Sequence, residues 1–290
     1  MKSLHFRPFW PAILVITGLL MFLSMLSAVW AQAPVAPNGK FIEVSGQKLY
    51  YEETGQGPPL ILLHGFGRTA SDWHGLTEEF SKNYRILAFD SPGHGRSDNL
   101  ENTQMYLHKS AAERILRAME LLNLDSAYVF GHSGGSFIAL YMSIMQPQRI
   151  KKIIVASGQL YYSQTTRKVI TAQGGPGKNP MLPLERLERM HGKMKAEILA
   201  NQFWNFRSQY GDPSFTPDVL SAIQAESLII HGDNDPIAPV SNAWEMYQHF
   251  PKARLWIVPN GGHIALMGPA NRQEMVKQVA AFLEGRKPNP

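Results

Sequence analysis

Short apolar runs along the chain are separated by segments in which apolar residues recur every three or four positions. The runs predict six buried strands, at residues 60–63, 85–89, 127–130, 152–156, 228–231 and 254–258, preceded by a hairpin of residues 41–44 and 48–52. Several runs are apolar almost throughout, as in a parallel sheet that is covered on both faces. Helical spacing between them, clearest at residues 105–122, predicts an α/β fold with a mostly parallel central sheet flanked by helices.

The regular alternation is interrupted by residues 158–225, which separate two of these strands. A connection of that length implies an inserted lid rather than a simple loop. It contains a helical pattern at residues 184–199, and the glycine-rich stretch Gly174-Gly175-Pro176-Gly177 predicts a flexible loop within it. Several aromatic residues follow the helical pattern, and we expect them to pack the insertion onto the sheet or to shape a pocket: Phe203, Trp204, Phe206, Tyr210 and Phe215.

The N-terminal region has the organisation of an export signal. Residues 12–31 form an uncharged run that follows the basic Lys2 and Arg7 and ends in small residues. This arrangement predicts a signal peptide over residues 1–31, cleaved after Ala31, and a proline-containing linker over residues 32–39. The alternative is an uncleaved anchor, since about 20 apolar residues can span a bilayer. The first interpretation predicts a periplasmic or secreted protein, and membrane attachment is expected only under the second.

Composition narrows the possible functions of the remaining residues, 40–285, which suffice for one domain. The chain has no cysteine, which excludes disulfides, a thiol nucleophile and a cysteine-ligated zinc site. Its net charge of +5 is spread along the sequence, as in a solvated surface, so no nucleic-acid partner is expected. No clustered His and carboxylate residues predict a metal, and no glycine-rich loop is strong enough to predict a cofactor.

The segment Gly131-His132-Ser133-Gly134-Gly135 lies between a predicted strand and a predicted helix. This G-x-S-x-G spacing is typical of a nucleophile elbow, because the glycines on either side permit a strained turn that exposes the serine hydroxyl. Ser133 is therefore the candidate nucleophile. The backbone N–H of Gly134, at the start of the helix, can stabilise a developing oxyanion.

Three further segments occur in an order that fits the same chemistry. They are His64-Gly65-Phe66-Gly67, the stretch from Asp90-Ser91-Pro92-Gly93 to Ser97, and the late pair of Asp235 and His263. With these motifs the sequence resembles the α/β-hydrolase superfamily, specifically its small esterase-like serine hydrolases, over about residues 40–285. The resemblance implies that the insertion at residues 158–225 caps the active site, and that the Phe66 amide completes the oxyanion hole with Gly134.

The resemblance also points to the catalytic base and acid. His263 lies in a glycine loop directly after the last predicted strand, which matches the family's base position. Asp235 matches the family's acid position in the turn that begins at His231. Asp233, two residues away in the same turn, is a competitor, and its expected role is to accept backbone hydrogen bonds within the loop. His132 adjoins the nucleophile but is expected to point away from it.

These residues predict a serine hydrolase that cleaves carboxylic esters through Ser133, His263 and Asp235, by way of an acyl-enzyme. The expected partner is a small-molecule substrate, an apolar ester. Carbon–carbon bond hydrolases, cofactor-free haloperoxidases and amidases can use the same triad and stay open as alternatives. A ligand receptor that retains the triad is an alternative of a different class.

Overall fold

A computed structural model describes residues 38–264 and 269–286 of the chain. The predicted signal peptide or anchor and residues 32–37 of the predicted linker lie outside the described residues. In the described part of the chain, no helix combines the length and the apolarity needed to span a membrane.

One eight-stranded sheet forms the centre of the described region, in the order β1-β2-β4-β3-β5-β6-β7-β8. The first two strands form the predicted hairpin, β1 pairs antiparallel with β2 and β2 with β4, and all later pairings are parallel. The mostly parallel sheet is therefore confirmed. Its strands are β1 Gly39–Val44, β2 Gln47–Thr54, β3 Pro59–Leu63, β4 Arg85–Phe89, β5 Ala127–His132, β6 Ile150–Ala156, β7 Glu226–Gly232 and β8 Ala253–Val258.

Helices cover both faces of the sheet because successive side chains of each strand alternate in direction. The helices are α1 His74–Phe80, α2 His108–Leu121, α3 Gly134–Met145, α4 Gln164–Ala172, α5 Leu184–His191, α6 Lys193–Asn205, α7 Pro217–Ser221, α8 Val240–His249 and α9 Pro269–Leu283. On one face, Ile61 and Leu63 of β3 belong to a core that includes residues of α2, α3 and α8, whereas Leu60 and Leu62 belong to a second core with α1 and α9.

The insertion between β6 and β7 contains α4 to α7 and a short 3₁₀ helix, Phe206–Ser208. The sequence pattern at residues 184–199 does not form the single helix that we expected. Helix α5 ends at His191, and Gly192, with a φ of 77°, turns the chain before α6 begins at Lys193. Glycine adopts this conformation without a side-chain clash, so it ends one helix where apolar spacing alone suggested continuation.

Candidate active site

Ser133 occupies a strained turn between β5 and α3. Its backbone has φ 51° and ψ −117°, a conformation that residues other than glycine rarely adopt. The flanking glycines are required by close packing: a Cβ atom on Gly135 would lie 2.1 Å from the carbonyl oxygen of Leu63, and one on Gly131 would lie 2.3 Å from that of Gly135. The turn therefore holds the serine hydroxyl at the carboxyl end of the parallel strands.

Two loops at the same edge of the sheet complete a continuous hydrogen-bonded series. His263, after β8, lies with Nε2 2.8 Å from Ser133 Oγ, and its Nδ1 lies 2.7 Å from Asp235 Oδ2. Asp235 follows β7, and its other oxygen, Oδ1, accepts the N–H groups of Ile237 and Ala238, each at 2.9 Å. The structure thus brings together the three residues that the sequence singled out.

The environment of Asp235 favours its ionised form. Its side chain is completely buried, and burial alone would raise the pKa of the carboxyl group. The hydrogen bond and charge of His263, together with the amides of Ala238 and Ile237, outweigh burial and lower the pKa of Asp235 below its ordinary value. A buried carboxylate held in this way can keep the Nδ1 proton of a neutral histidine in place, which leaves Nε2 free to accept a proton.

Asp233, the competing carboxylate, is exposed. Its carboxylate has no hydrogen bond or ion pair within residues 38–264 and 269–286. The expectation that it accepts backbone hydrogen bonds in the loop is therefore wrong. Asp235 performs that structural task itself, because its two oxygens face different partners.

The backbone nitrogens of Phe66 and Gly134 lie close together beside Ser133. Gly134 is the first residue of α3, and the first N–H groups of a helix have no hydrogen-bond acceptor within that helix. The loop after β3 brings Phe66 to it: a Cβ atom built on Gly134 would lie 2.9 Å from Phe66 N. Across the described part of the chain, the Phe66 N–H has no acceptor. The arrangement can therefore present two amide donors to an oxyanion formed at Ser133.

The backbone of His263 is held by two residues that the sequence analysis did not assign to the site. His132 Nε2 lies 2.9 Å from the His263 carbonyl oxygen, and Ser157 Oγ donates to the same oxygen at 3.0 Å. Burial lowers the pKa of His132 to about 4, so its imidazole is neutral near pH 7 and donates from Nε2. The adjacency of His132 to Ser133 is the sequence signal that could have suggested this role.

His191, the last residue of α5, connects the insertion to the loop that carries Phe66. Its Nδ1 accepts the Gly95 N–H at 2.8 Å and its Nε2 donates to the Gly67 carbonyl oxygen at 3.1 Å. Burial lowers the pKa of His191 to about 4. Both ring nitrogens are thus committed in the neutral form. Only the tertiary structure shows this link, because Gly67 and Gly95 are distant from His191 in sequence.

Ser133 and His263 lie in a cleft with an empty volume of about 830 Å³, a figure that includes its open mouth. Much of its wall is apolar. The insertion contributes Tyr162, Ile170, Met181, Leu182, Phe203 and Phe206, and Phe66 and Phe137 come from outside it. Tyr210, by contrast, is 73% exposed, and Phe215 is buried against Tyr141. The aromatic cluster of the sequence therefore divides, and only Phe203 and Phe206 line the cleft.

The polar lining of the cleft is small and carries one lysine or arginine side chain, that of Arg68, among the described residues. Its guanidinium forms two hydrogen bonds to Asp72, Nε to Oδ2 at 2.6 Å and Nη2 to Oδ1 at 2.7 Å. The opposite charges of Arg68 and Asp72 therefore cancel within the cleft lining. Within the residues that the structure describes, no group of three or more His, Cys, Asp or Glu side chains is arranged to hold a metal.

Comparison with known proteins agrees with this architecture. The family model for the alpha/beta hydrolase fold matches residues 58–180 and 191–270. The chain belongs to the α/β-hydrolase family. Its match includes both sides of the Ser133 turn and the loop that carries Asp235.

The relatives are distant and differ in substrate. The chain is 26% identical over 262 residues to (E)-2-((N-methylformamido)methylene)succinate hydrolase of Acinetobacter baylyi, covering 84% of this chain and 98% of that protein. It is also 26% identical over 252 residues to the pimeloyl-[acyl-carrier protein] methyl ester esterase of Nitrosomonas europaea, covering 74% and 92%. The fold matches that of a meta-cleavage product hydrolase from Pseudomonas fluorescens IP01, with a TM-score of 0.68, 22% identity, and coverage of 85% and 98%. The protein is therefore a hydrolase, within a family whose members cleave different bonds.

Proposed function

We propose that the protein is a serine hydrolase of carboxylic esters, in which Ser133 is the nucleophile, His263 the base and Asp235 the acid. The observation that carries the proposal is the unbroken hydrogen-bonded series from Ser133 Oγ through His263 to Asp235 on the wall of an apolar cleft. Serine is a weak nucleophile at neutral pH, and such a series activates it.

The geometry supports the following sequence of bond changes. As Ser133 Oγ forms a bond to the ester carbonyl carbon, its proton passes to His263 Nε2, and the carbonyl oxygen becomes an oxyanion facing the Phe66 and Gly134 amides. The carbon–oxygen bond to the alcohol then breaks, and the proton on Nε2 passes to the departing alkoxide. Water attacks the acyl-enzyme, gives a proton to Nε2, and that proton returns to Ser133 Oγ as the carboxylic acid leaves.

The charge of the cleft supports an uncharged ester over a dicarboxylate. The name of the Acinetobacter relative describes a succinate, which carries two carboxylates at neutral pH. A substrate of that kind needs cationic partners when it leaves water. In the described lining of the cleft, Arg68 is the lysine or arginine side chain present, and its charge is already neutralised by the ion pair with Asp72. An uncharged ester avoids this cost.

Turnover of p-nitrophenyl hexanoate tests the proposal. The wild-type protein should release p-nitrophenol continuously and the Ser133→Ala variant should lose nearly all turnover while keeping its melting temperature, because loss of a hydroxyl on a turn removes little packing. Release of one equivalent followed by arrest would instead favour the ligand receptor. Faster cleavage of the matched p-nitroanilide would favour an amidase, and no release from either compound would leave the carbon–carbon bond hydrolase as the stronger alternative.

A further inference from the structure

Asn179 is a buried polar residue in the wall of the cleft. It lies in the loop between α4 and α5, shortly after the glycine-rich stretch, and it is 3% exposed. Met181 and Leu182, which follow it, also line the cleft. Polar side chains are rarely buried among apolar ones unless both ends of the group are hydrogen-bonded.

The oxygen end of the Asn179 amide is fixed by the loop. The side-chain oxygen Oδ1 accepts the backbone N–H of Met181 at 2.8 Å. The backbone carbonyl oxygen of Asn179 accepts the N–H of Leu182 at 3.1 Å. A backbone N–H can only donate, so the side-chain oxygen must face Met181. The NH₂ group, Nδ2, is therefore the end of the amide that is left for another partner.

That partner is absent from the described residues. Nδ2 is buried and has no hydrogen-bond acceptor within residues 38–264 and 269–286. A buried, unpaired donor is costly for a folded protein, and a ligand that supplies an acceptor removes the cost. Because Asn179 is a wall residue of the cleft, a bound substrate is the natural source of that acceptor.

The acceptor is expected to be uncharged. An amide N–H is a neutral donor, and the cation of the cleft, Arg68, is already paired with Asp72. A carboxylate next to Asn179 would lose its hydration without gaining a charged partner, whereas a carbonyl oxygen needs only one donor.

We propose that Asn179 is a specificity-determining residue that donates from Nδ2 to a second, uncharged carbonyl group of the substrate. The preferred substrates are then esters whose acyl chain carries a ketone, called oxo-esters below, and not esters with a purely hydrocarbon acyl chain. The inference rests on the proposed ester hydrolysis. It adds a polar requirement to a cleft whose wall is mainly hydrocarbon and aromatic.

Gln159 is the other buried side-chain amide in the lining. Its Oε1 lies 2.9 Å from Thr166 Oγ1, and Thr166 Oγ1 lies 2.7 Å from the Ile237 carbonyl oxygen. These contacts join the start of the insertion to the loop after Asp235. Gln159 therefore serves as the comparison residue, because its amide oxygen contacts this structural network and it lies outside the loop that carries Asn179.

Matched substrates separate the contribution of Asn179 from general hydrolysis. The kcat/KM values for p-nitrophenyl hexanoate, 4-oxohexanoate and 5-oxohexanoate would be measured with the wild type and with Asn179→Asp, Asn179→Leu and Gln159→Leu. Asn179→Asp keeps an oxygen for the Met181 N–H and replaces the donor by an acceptor. Met181→Leu, an apolar exchange in the same loop, is the control.

We expect the wild type to prefer at least one oxo-ester over the hexanoate by about tenfold, the value of one hydrogen bond to a buried donor. Within each variant, the kcat/KM ratio of the oxo-ester to the hexanoate is the readout: both Asn179 variants should bring this ratio close to one, while Met181→Leu and Gln159→Leu should retain the wild-type ratio. The Kd values of the same esters for the Ser133→Ala protein should show the same preference, and this measurement does not depend on turnover.

Three results would overturn the inference while leaving ester hydrolysis intact: hexanoate turnover without any oxo preference, a preference that survives in a folded Asn179→Asp variant, or a preference lost only in Gln159→Leu. If the wild type hydrolyses none of the esters, the proposed function fails, and the Kd comparison alone decides whether Asn179 selects a carbonyl-bearing ligand.

Discussion

Replacement of Asp235 by asparagine tests the proposed catalytic geometry most directly. The side-chain amide of the Asp235→Asn variant would keep an oxygen for the N–H groups of Ile237 and Ala238, so the loop should retain its conformation. The NH₂ group of that amide would then face His263 Nδ1, which lies 2.7 Å from the carboxylate in the wild type. A donor at that place requires Nδ1 to be an acceptor, so the imidazole proton would move to Nε2.

The altered tautomer places a proton where the mechanism needs a lone pair. His263 Nε2, 2.8 Å from Ser133 Oγ, could then only donate to the serine and could not take its proton. The variant would also lose the negative charge that stabilises the imidazolium. Together these effects should lower kcat by about 10⁴-fold, as found for the equivalent change in Ser-His-Asp enzymes. This corresponds to about 5.5 kcal/mol of transition-state stabilisation.

The assay is the turnover number for p-nitrophenyl hexanoate, measured together with the melting temperature. Asp233→Asn is the matched control, because it makes the same change of charge two residues away on an exposed side chain that has no hydrogen bond within the described residues. It should leave both quantities nearly unchanged. The reasoning fails if Asp235→Asn keeps more than a few per cent of wild-type turnover, or if a normally folded Asp233→Asn variant is the inactive one.

Other parts of the chain allow three further predictions. The pKa of His191 is about 4 in the folded protein and about 6.5 in the unfolded chain. As the pH falls, His191 of the unfolded chain therefore takes up a proton at a higher pH than His191 of the folded protein does. Stability is therefore fully present above pH 6.5 and falls as the pH drops from there towards 4, with His191 contributing about 2 kcal/mol of the loss at pH 5. Urea unfolding at pH 7 and pH 5 should show a smaller acid loss for His191→Gln than for the wild type, and equal losses would contradict the assignment. A fluorophosphonate probe should label Ser133 alone, and mass spectrometry that finds the label elsewhere would reject the nucleophile. We also propose that the mature protein begins near Gln32 and is exported, and N-terminal sequencing from the native host should find this terminus, whereas an intact Met1 in a membrane fraction would favour the anchor.

The sequence alone was sufficient for the order of elements and for the strained turn at Ser133. Strands β3 to β8 were predicted because each buries a short apolar run, and the run itself is a local signal. The turn at Ser133 was predictable for the same reason: the glycines that a crowded turn requires lie within two residues of the serine. His263 and Asp235 were found through the resemblance of their loops to those of known hydrolases.

The relations between distant residues were decided by the tertiary structure. Asp233 and Asp235 are equivalent by residue type and nearly so by position, and only the path of the loop after β7 turns one towards His263 and the other towards solvent. His191 and Asn179 gain their roles from the way the insertion folds back over the loop after β3 and over the cleft. Apolar periodicity reports burial, but it does not report which polar atom meets which partner across the fold, because that depends on packing between segments far apart in the chain.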